Sequence, residues 1–194
     1  VTGWYKDQDL TDGPVGSSFT VGTSNQQLWP KIETGNYITF VSGNQGTYVA
    51  PQFVAPGAYA QEPTVTMTRP GYTFKHWSAT DAENGSRYTF NAPITANLTL
   101  YAVWQKNQNT PYTVVFWKQS VNDNKGTPDI GKTYDFAESE VRYTETESNV
   151  YPNPSDGVKN YPGFHYNDLK SVTVQVRGDG TTILNIYYDR NLLT

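Results

Sequence analysis

Cysteine is absent from all 194 residues. That excludes disulfides, thiolate metal sites and thiol catalysis together. Charge is scarce: charged residues make up 16% of the chain, with 14 Lys and Arg against 18 Asp and Glu and a net charge of −4. No Lys/Arg cluster occurs, so the concentrated basic surface that nucleic acid demands is missing. Apolar runs are only a few residues long, too short for insertion into a membrane as a helix. What is plentiful is aromatic: 15 Tyr, 8 Phe and 5 Trp. With abundant Thr, these residues suit pleated, half-buried surfaces. The 16 Gly and 12 Pro supply turns. An extracellular chain without disulfides must rely on sheet pairing and aromatic burial, and the composition reads as secreted or surface-exposed and β-rich. No signal peptide or sorting motif is visible, which points to an internal piece of a longer protein.

Strand-like runs are short and end at turn residues. "NYITFVSG" (36–43) alternates, and "GTYVAPQFVAPG" (46–57) is limited by Pro51 and Pro56. "GYTFKHW" (71–77) places Tyr72, Phe74 and His76 on one face. "SRYTF" (86–90), "LTLYAVW" (98–104) and "YTVVFWKQ" (112–119) read as further strands. "SVTVQVRGDGTTILNIYYDR" (171–190) reads as a hairpin around Gly178-Asp179-Gly180. The best helix signal is "DFAESEVRY" (135–143), with Asp135 as N-cap and Glu138 three residues on. Its alternation fits a strand equally well, so one short helix or turn is expected there at most.

The chain echoes itself. Trp4 to "LWPKI" (28–32) and Trp77 to "LYAVW" (100–104) have nearly the same length. Each opens with an aromatic and an Asp-bearing polar turn ("KDQDLTDG", "ATDAENGS"). Each continues through an aromatic strand ("SSFTV", "RYTF") and closes on Leu plus an aromatic. Further on, "YPGFHY" (161–166) echoes "RPGYTF" (69–74), and "LNIYYD" (184–189) is a closing strand. The polar "QKNQNTP" (105–111) reads as a linker. Three segments follow: 1–35 as the C-terminal half of a unit, 36–107 as a complete module, and 112–194 as a second one.

Residues 38–104 resemble the Listeria–Bacteroides repeat, the internalin B-repeat family. The marks are "FVSGNQGT", "RPGYTFKHW", the "PIT" turn and "LTLYAVW", and residues 1–33 are a partial copy. The family usually has Gly before the Trp. Here His76 stands there, while Gly3 precedes Trp4. The C-terminal segment is similar to mucin-binding-protein-type repeats of Gram-positive surface proteins, through "YTVVFWKQ", "YPGF" and "GDGTTILNIYYDRN". These resemblances imply a mainly β fold, α+β at most: tandem β-grasp-like modules with mixed sheets and little helix. They also imply a place on the bacterial cell surface, with anchoring to the cell wall through the parent protein, and no enzymatic activity.

Candidate sites are few. Trp4, Trp29, Trp77 and Trp104 occupy matching places in the repeats, which assigns them to cores. Trp117, Tyr187 and Tyr188 are the candidate ligand contacts, since exposed aromatic rings stack on sugars; Tyr187 and Tyr188 face opposite sides of one strand. No catalytic group, cofactor or metal site is expected. His76 and His165 are the only histidines, and neither sits in a nucleophile motif. Glu138/Glu140 and Glu145/Glu147 are i, i+2 pairs best read as solvated strand faces. "DNKGTPD" (123–129) and "TDAENGS" (80–86) are read as turns, as is the Arg-Gly-Asp triplet at 177–179. Asn84 and Asn97 fit a glycosylation pattern that a bacterial protein is not expected to use. A covalent Lys–Asn cross-link remains open, with Lys118, Asn185 and Glu138 as the candidate set. The expected role is a monomeric, non-catalytic stalk or adhesion segment. Its partners would be neighbouring repeats of the same chain and a host glycoprotein, glycan or matrix protein, with no nucleic acid. The alternative is a carbohydrate- or glycoprotein-binding module.

Overall fold

The computed structural model describes residues 1–20, 22–152 and 159–192. Its elements are almost all strands, as β-branched and aromatic alternation dictates. In chain order they are β1 (Gly3–Tyr5), β2 (Trp29–Lys31), β3 (Asn36–Val41), β4 (Gln52–Val54), β5 (Tyr72–Ser78) and β6 (Leu98–Lys106). Then come β7 (Thr110–Gln119), β8 (Tyr134–Thr144), β9 (Asn149–Val150), β10 (Phe164–Tyr166), β11 (Val174–Gln175) and β12 (Ile183–Arg190). A single 3-10 turn, Asp129–Gly131, is the helical content among the described residues. The mainly β, mixed-sheet expectation holds.

Two four-stranded sheets carry the fold, in the orders β4-β3-β6-β5 and β8-β7-β12-β10. Numbering each set of four from one, both read 2-1-4-3. In each, the first and last strands are a central parallel pair, Ile38 beside Leu98 in one and Ile183 beside Thr113 in the other. In each, the second strand lies antiparallel on the outside of the first. This is the sheet order of a β-grasp without its helix. β1 and β2 form a separate antiparallel pair, as do β9 and β11.

The chain divides into two compact units. One comprises Val1–Ser42, Tyr48–Val65 and Trp77–Ala102; the other comprises Gly43–Thr47, Thr66–His76 and Val103–Thr194. In the first, Ile38, Leu100 and Trp77 are fully buried, and Phe40 meets Trp77 edge-on at 4.9 Å. In the second, the core is Tyr112, Val114 and Phe116 from β7 with Leu184, Ile186 and Tyr188 from β12, joined by Val150 and Val176. Within that unit, the Gly71 carbonyl accepts from the Asn107 N–H and the Thr146 hydroxyl. Only residues 107–109 separate β6 from β7, so most of the polar stretch at 105–111 is strand.

Several local expectations are overturned. Residues 135–143 form no helix. They lie inside the eleven-residue β8, because β7 offers an antiparallel ladder along this stretch, broken only by a bulge at Ala137. Residues 86–90 form no strand, and residues 17–20 form none; Val21 lies outside the described residues. The 171–190 hairpin is replaced. The chain does turn at 177–180, where the Gly180 N–H donates to the Arg177 carbonyl, but β11 pairs with β9 while β12 pairs in parallel with β7. Glu145 and Glu147 lie beyond the end of β8, and Glu147 has φ 64 in the turn.

Candidate functional site

Alternation along β7 sends Tyr112, Val114 and Phe116 into the core of the second unit, and Thr113, Val115 and Trp117 to the opposite, outer face. Parallel pairing sets Tyr187 of β12 beside Trp117, with rings 17° apart in plane and 6.4 Å between centroids. On the other side, β8 carries a bulge. Phe116 pairs with Glu138, but Trp117 pairs with Phe136, so Ala137 is the extra residue. Without it Phe136 would oppose Lys118 on the inner face. The bulge turns it outward, edge-on to Trp117 at 6.1 Å, and it is 59% exposed. Tyr134 completes the row, edge-on to Tyr187 at 4.9 Å. The Trp117 indole N–H donates to Asn185 Oδ1 at 2.8 Å, which fixes the ring. Lys170 Nζ lies 4.8 Å from the Tyr134 ring centroid and 5.1 Å from that of Tyr187.

Tyr188 is not part of this surface. It is 2% exposed and packs edge-on against Tyr161 in the core, because it is out of phase with Tyr187. Of the three candidate ligand contacts, Trp117 and Tyr187 share the outer face and Tyr188 is replaced there by Phe136 and Tyr134. Among the repeat tryptophans, Trp77 and Trp104 are buried and Trp29 is half-buried. Trp4 is 47% exposed, since the two-stranded β1–β2 pair has no large core to receive it.

Beyond Tyr187 on the same face, Asp189 is almost wholly buried. Its Oδ2 accepts from Lys132 Nζ at 2.6 Å and from Asn167 Nδ2 at 2.9 Å; its Oδ1 accepts from the Tyr134 hydroxyl at 2.7 Å. Burial pushes the Asp189 carboxyl up, but the hydrogen bonds from Lys132 and Tyr134 and the Lys132 charge outweigh it and hold the carboxyl below its ordinary value. Hydrogen bonds from Lys132 to Asp129 and to Asp189 push the ammonium up in turn. Nothing in the spacing of these residues flags the cluster; the one sequence signal is an acidic residue near the end of a largely apolar strand.

The remaining candidates resolve into structural roles. Lys118 Nζ sits over the Tyr161 ring at 4.1 Å on the inner face, whereas Asn185 is held by Trp117 on the outer face and Glu138 by Lys159 and Tyr161. The Lys118–Asn185–Glu138 set therefore does not assemble. His76 is half-buried in β5, and the exposed His165 pairs with Asn191. The Asp179 carboxylate takes the Thr181 N–H and hydroxyl, and Asp123 takes those of Thr133, so both close turns. Among the described residues no three His, Cys, Asp or Glu side chains come together.

Glu138 and Glu140 do share a face, and Lys159 bridges them over the Phe116 ring. Hydrogen bonds from Lys159 and Tyr161 hold the Glu138 carboxyl below its ordinary 4.5. For Glu140, burial acts upward, and hydrogen bonds from Arg142 and Lys159 overcome it. A carboxyl depressed on folding adds stability that is complete above its unfolded value and is lost as the pH falls through the folded value. The melting temperature of the second unit is therefore expected to fall as the pH drops below 4.5. Glu138→Gln should flatten that slope, and equal slopes in variant and parent would contradict it.

Residues 37–103 match the Listeria-Bacteroides repeat domain. The repeat thus begins in β3 and ends in β6, spanning one 2-1-4-3 sheet. That repeat family is a non-catalytic type typical of bacterial surface proteins. No curated protein matches the chain. The aromatic face and the Asp189 cluster lie after the matched repeat. No helix among the described residues is long and apolar enough to cross a membrane.

Proposed function

We propose that the chain is a non-catalytic stalk and adhesion segment of a bacterial cell-surface protein, wall-anchored through its parent chain. The observation that carries this reading is the match of residues 37–103 to a surface repeat. The second sheet supports it by repeating the same strand order, as a linear array of related modules requires. The constant partners are neighbouring repeats of the same chain. The resemblance of residues 112–190 to mucin-binding-protein repeats fits this setting.

A second reading is favoured by the outer face of β8-β7-β12. Phe136, Trp117, Tyr187 and Tyr134 form a row of rings with Lys170 at one end, a surface suited to stacking on the sugars of a host glycoprotein or glycan. The test is a binding screen of the folded monomer against glycan, mucin and matrix-protein arrays. The expected result on this reading is a hit competed by free ligand and weakened at least about tenfold by Trp117→Ala, which removes the central ring. Tyr188→Phe serves as the buried control and should leave binding unchanged. No binding at high micromolar concentration leaves the stalk role alone standing.

A further inference from the structure

The Asp189 cluster has the parts of a self-joining site, and this holds whether or not the aromatic face binds a ligand. One carboxylate oxygen receives both an amine and a carboxamide nitrogen, so Lys132 Nζ and Asn167 Nδ2 lie within two hydrogen-bond lengths of each other. The carboxamide oxygen, Asn167 Oδ1, accepts from the Lys170 backbone N–H at 2.9 Å, where negative charge would develop on attack at Cγ. The Lys132 and Asp189 side chains are only 16% and 7% exposed. That shielding opposes charge on both groups, but their mutual hydrogen bond and attraction outweigh it, so the pair rests as ammonium and carboxylate and the neutral amine is its minor form. We propose that Lys132 and Asn167 are joined by an amide bond formed within the folded chain, with Asp189 carrying the proton.

The step balances from these residues alone. Asp189 takes a proton from the Lys132 ammonium and leaves a neutral amine. Nζ attacks Cγ of Asn167, a carbon–nitrogen bond forms, and the carbonyl electron pair moves onto Oδ1 against the Lys170 N–H. Asp189 returns its proton to Nδ2 and the Cγ–Nδ2 bond breaks. Ammonia departs and takes up the second Nζ proton, leaving as ammonium. No oxidant or co-reactant enters. Holding amine, carbonyl and proton carrier together in one folded site is what lets an otherwise sluggish amide exchange proceed.

The position suits a strap. Lys132 leads into β8 and Asn167 follows β10, the two edge strands of the sheet, while Asp189 sits on the central β12 between them. An amide between Lys132 and Asn167 would tie one edge of the sheet to the other in a chain that has no disulfide.

The test is the intact mass of the full 194-residue chain under denaturing conditions, after incubation at neutral pH, followed by proteolysis and fragment sequencing. The expected result is a mass short by one ammonia and a branched peptide joining Lys132 to Asn167. Lys132→Arg, Asn167→Ala and Asp189→Ala should each restore the full mass while folded by circular dichroism. Should Asp189→Ala not fold, the other two variants and the parent peptide map still decide. A parent chain that keeps its full mass overturns the proposal. So does an ammonia loss that maps to Asn84, where the following Gly85 permits a succinimide that releases the same ammonia.

Discussion

Trp77→Ala is expected to destabilise the first unit by about 3–5 kcal/mol, the cost of truncating a fully buried indole. Trp77 is 1% exposed, the largest of the fully buried side chains. Phe40 meets it at 4.9 Å and 66°, and its carbonyl accepts the Tyr88 N–H at 2.7 Å, which ties the irregular 86–90 segment to β5. The other fully buried side chains of this unit, Ile38, Leu100 and Ser78, are smaller, so neighbours have little bulk with which to refill the space. Domains of this size have about 5–15 kcal/mol in all, and there is no disulfide to hold the unfolded chain close. Hydrogen exchange at the β3 amides reports this unit directly: protection should fall by about two to four orders of magnitude, in step with the lost free energy. Trp77→Phe should recover part of it. Trp4→Ala, at an exposed position, should change stability by about 1 kcal/mol or less. Equal protection in Trp77→Ala and the parent would show that the first unit is not organised around this ring.

How far the sequence discloses the molecule depends on whether a segment's partner is near or far along the chain. β3, β5, β6 and β7 are read correctly because alternation and bounding turns are local signals. Residues 135–143 carry a good N-cap pattern, yet become strand because β7 offers a ladder along their whole length. Residues 183–190 look like half of a hairpin, yet pair in parallel with β7, about seventy residues earlier. Parallel neighbours cannot be joined by a tight turn, so no local pattern announces them. The same division governs the site. Alternation alone separates Tyr187 from Tyr188. The bulge at Ala137 that brings Phe136 to Trp117 leaves no trace in composition, and the Asp189 cluster draws its four side chains from three separate stretches of chain. The Lys118–Asn185 pairing failed because adjacency of strands was assumed without phase: the two side chains leave opposite faces of one sheet.

Gly178→Ala is expected to cost the second unit about 3 kcal/mol, at the upper end of overpacking in a site that cannot yield. A Cβ at Gly178 would stand 2.1 Å from the Pro70 carbonyl oxygen and 3.0 Å from the Gly71 Cα. Both neighbours are backbone, so no rotamer change relieves the clash. Gly71 presents the matching surface. Its φ of +76 already disfavours a side chain, and a Cβ there would lie 2.3 Å from the Gly178 Cα. Two chain segments thus cross with no side chain between them. The crossing is pinned beside that point, where the Gly71 carbonyl accepts the Thr146 hydroxyl and the Asn107 N–H, and the Asn107 carbonyl accepts the Thr146 N–H. Forcing the crossing apart would therefore break backbone hydrogen bonds as well as contacts, and buried groups left unpaired cost more than the bonds contribute. The same turn holds the Arg-Gly-Asp triplet, so Gly178 there is explained by close packing without any receptor. Gly163→Ala separates the two causes: φ is +82, but nothing lies within 4 Å of the added carbon, so only the left-handed strain of about 1–2 kcal/mol should appear. Gly126→Ala, in open space at an ordinary φ, should be near neutral. Urea unfolding followed by hydrogen exchange at β7 and β12 orders the three variants, all in the second unit. A Gly178→Ala chain as stable as Gly126→Ala would mean that the two backbones do not cross in solution.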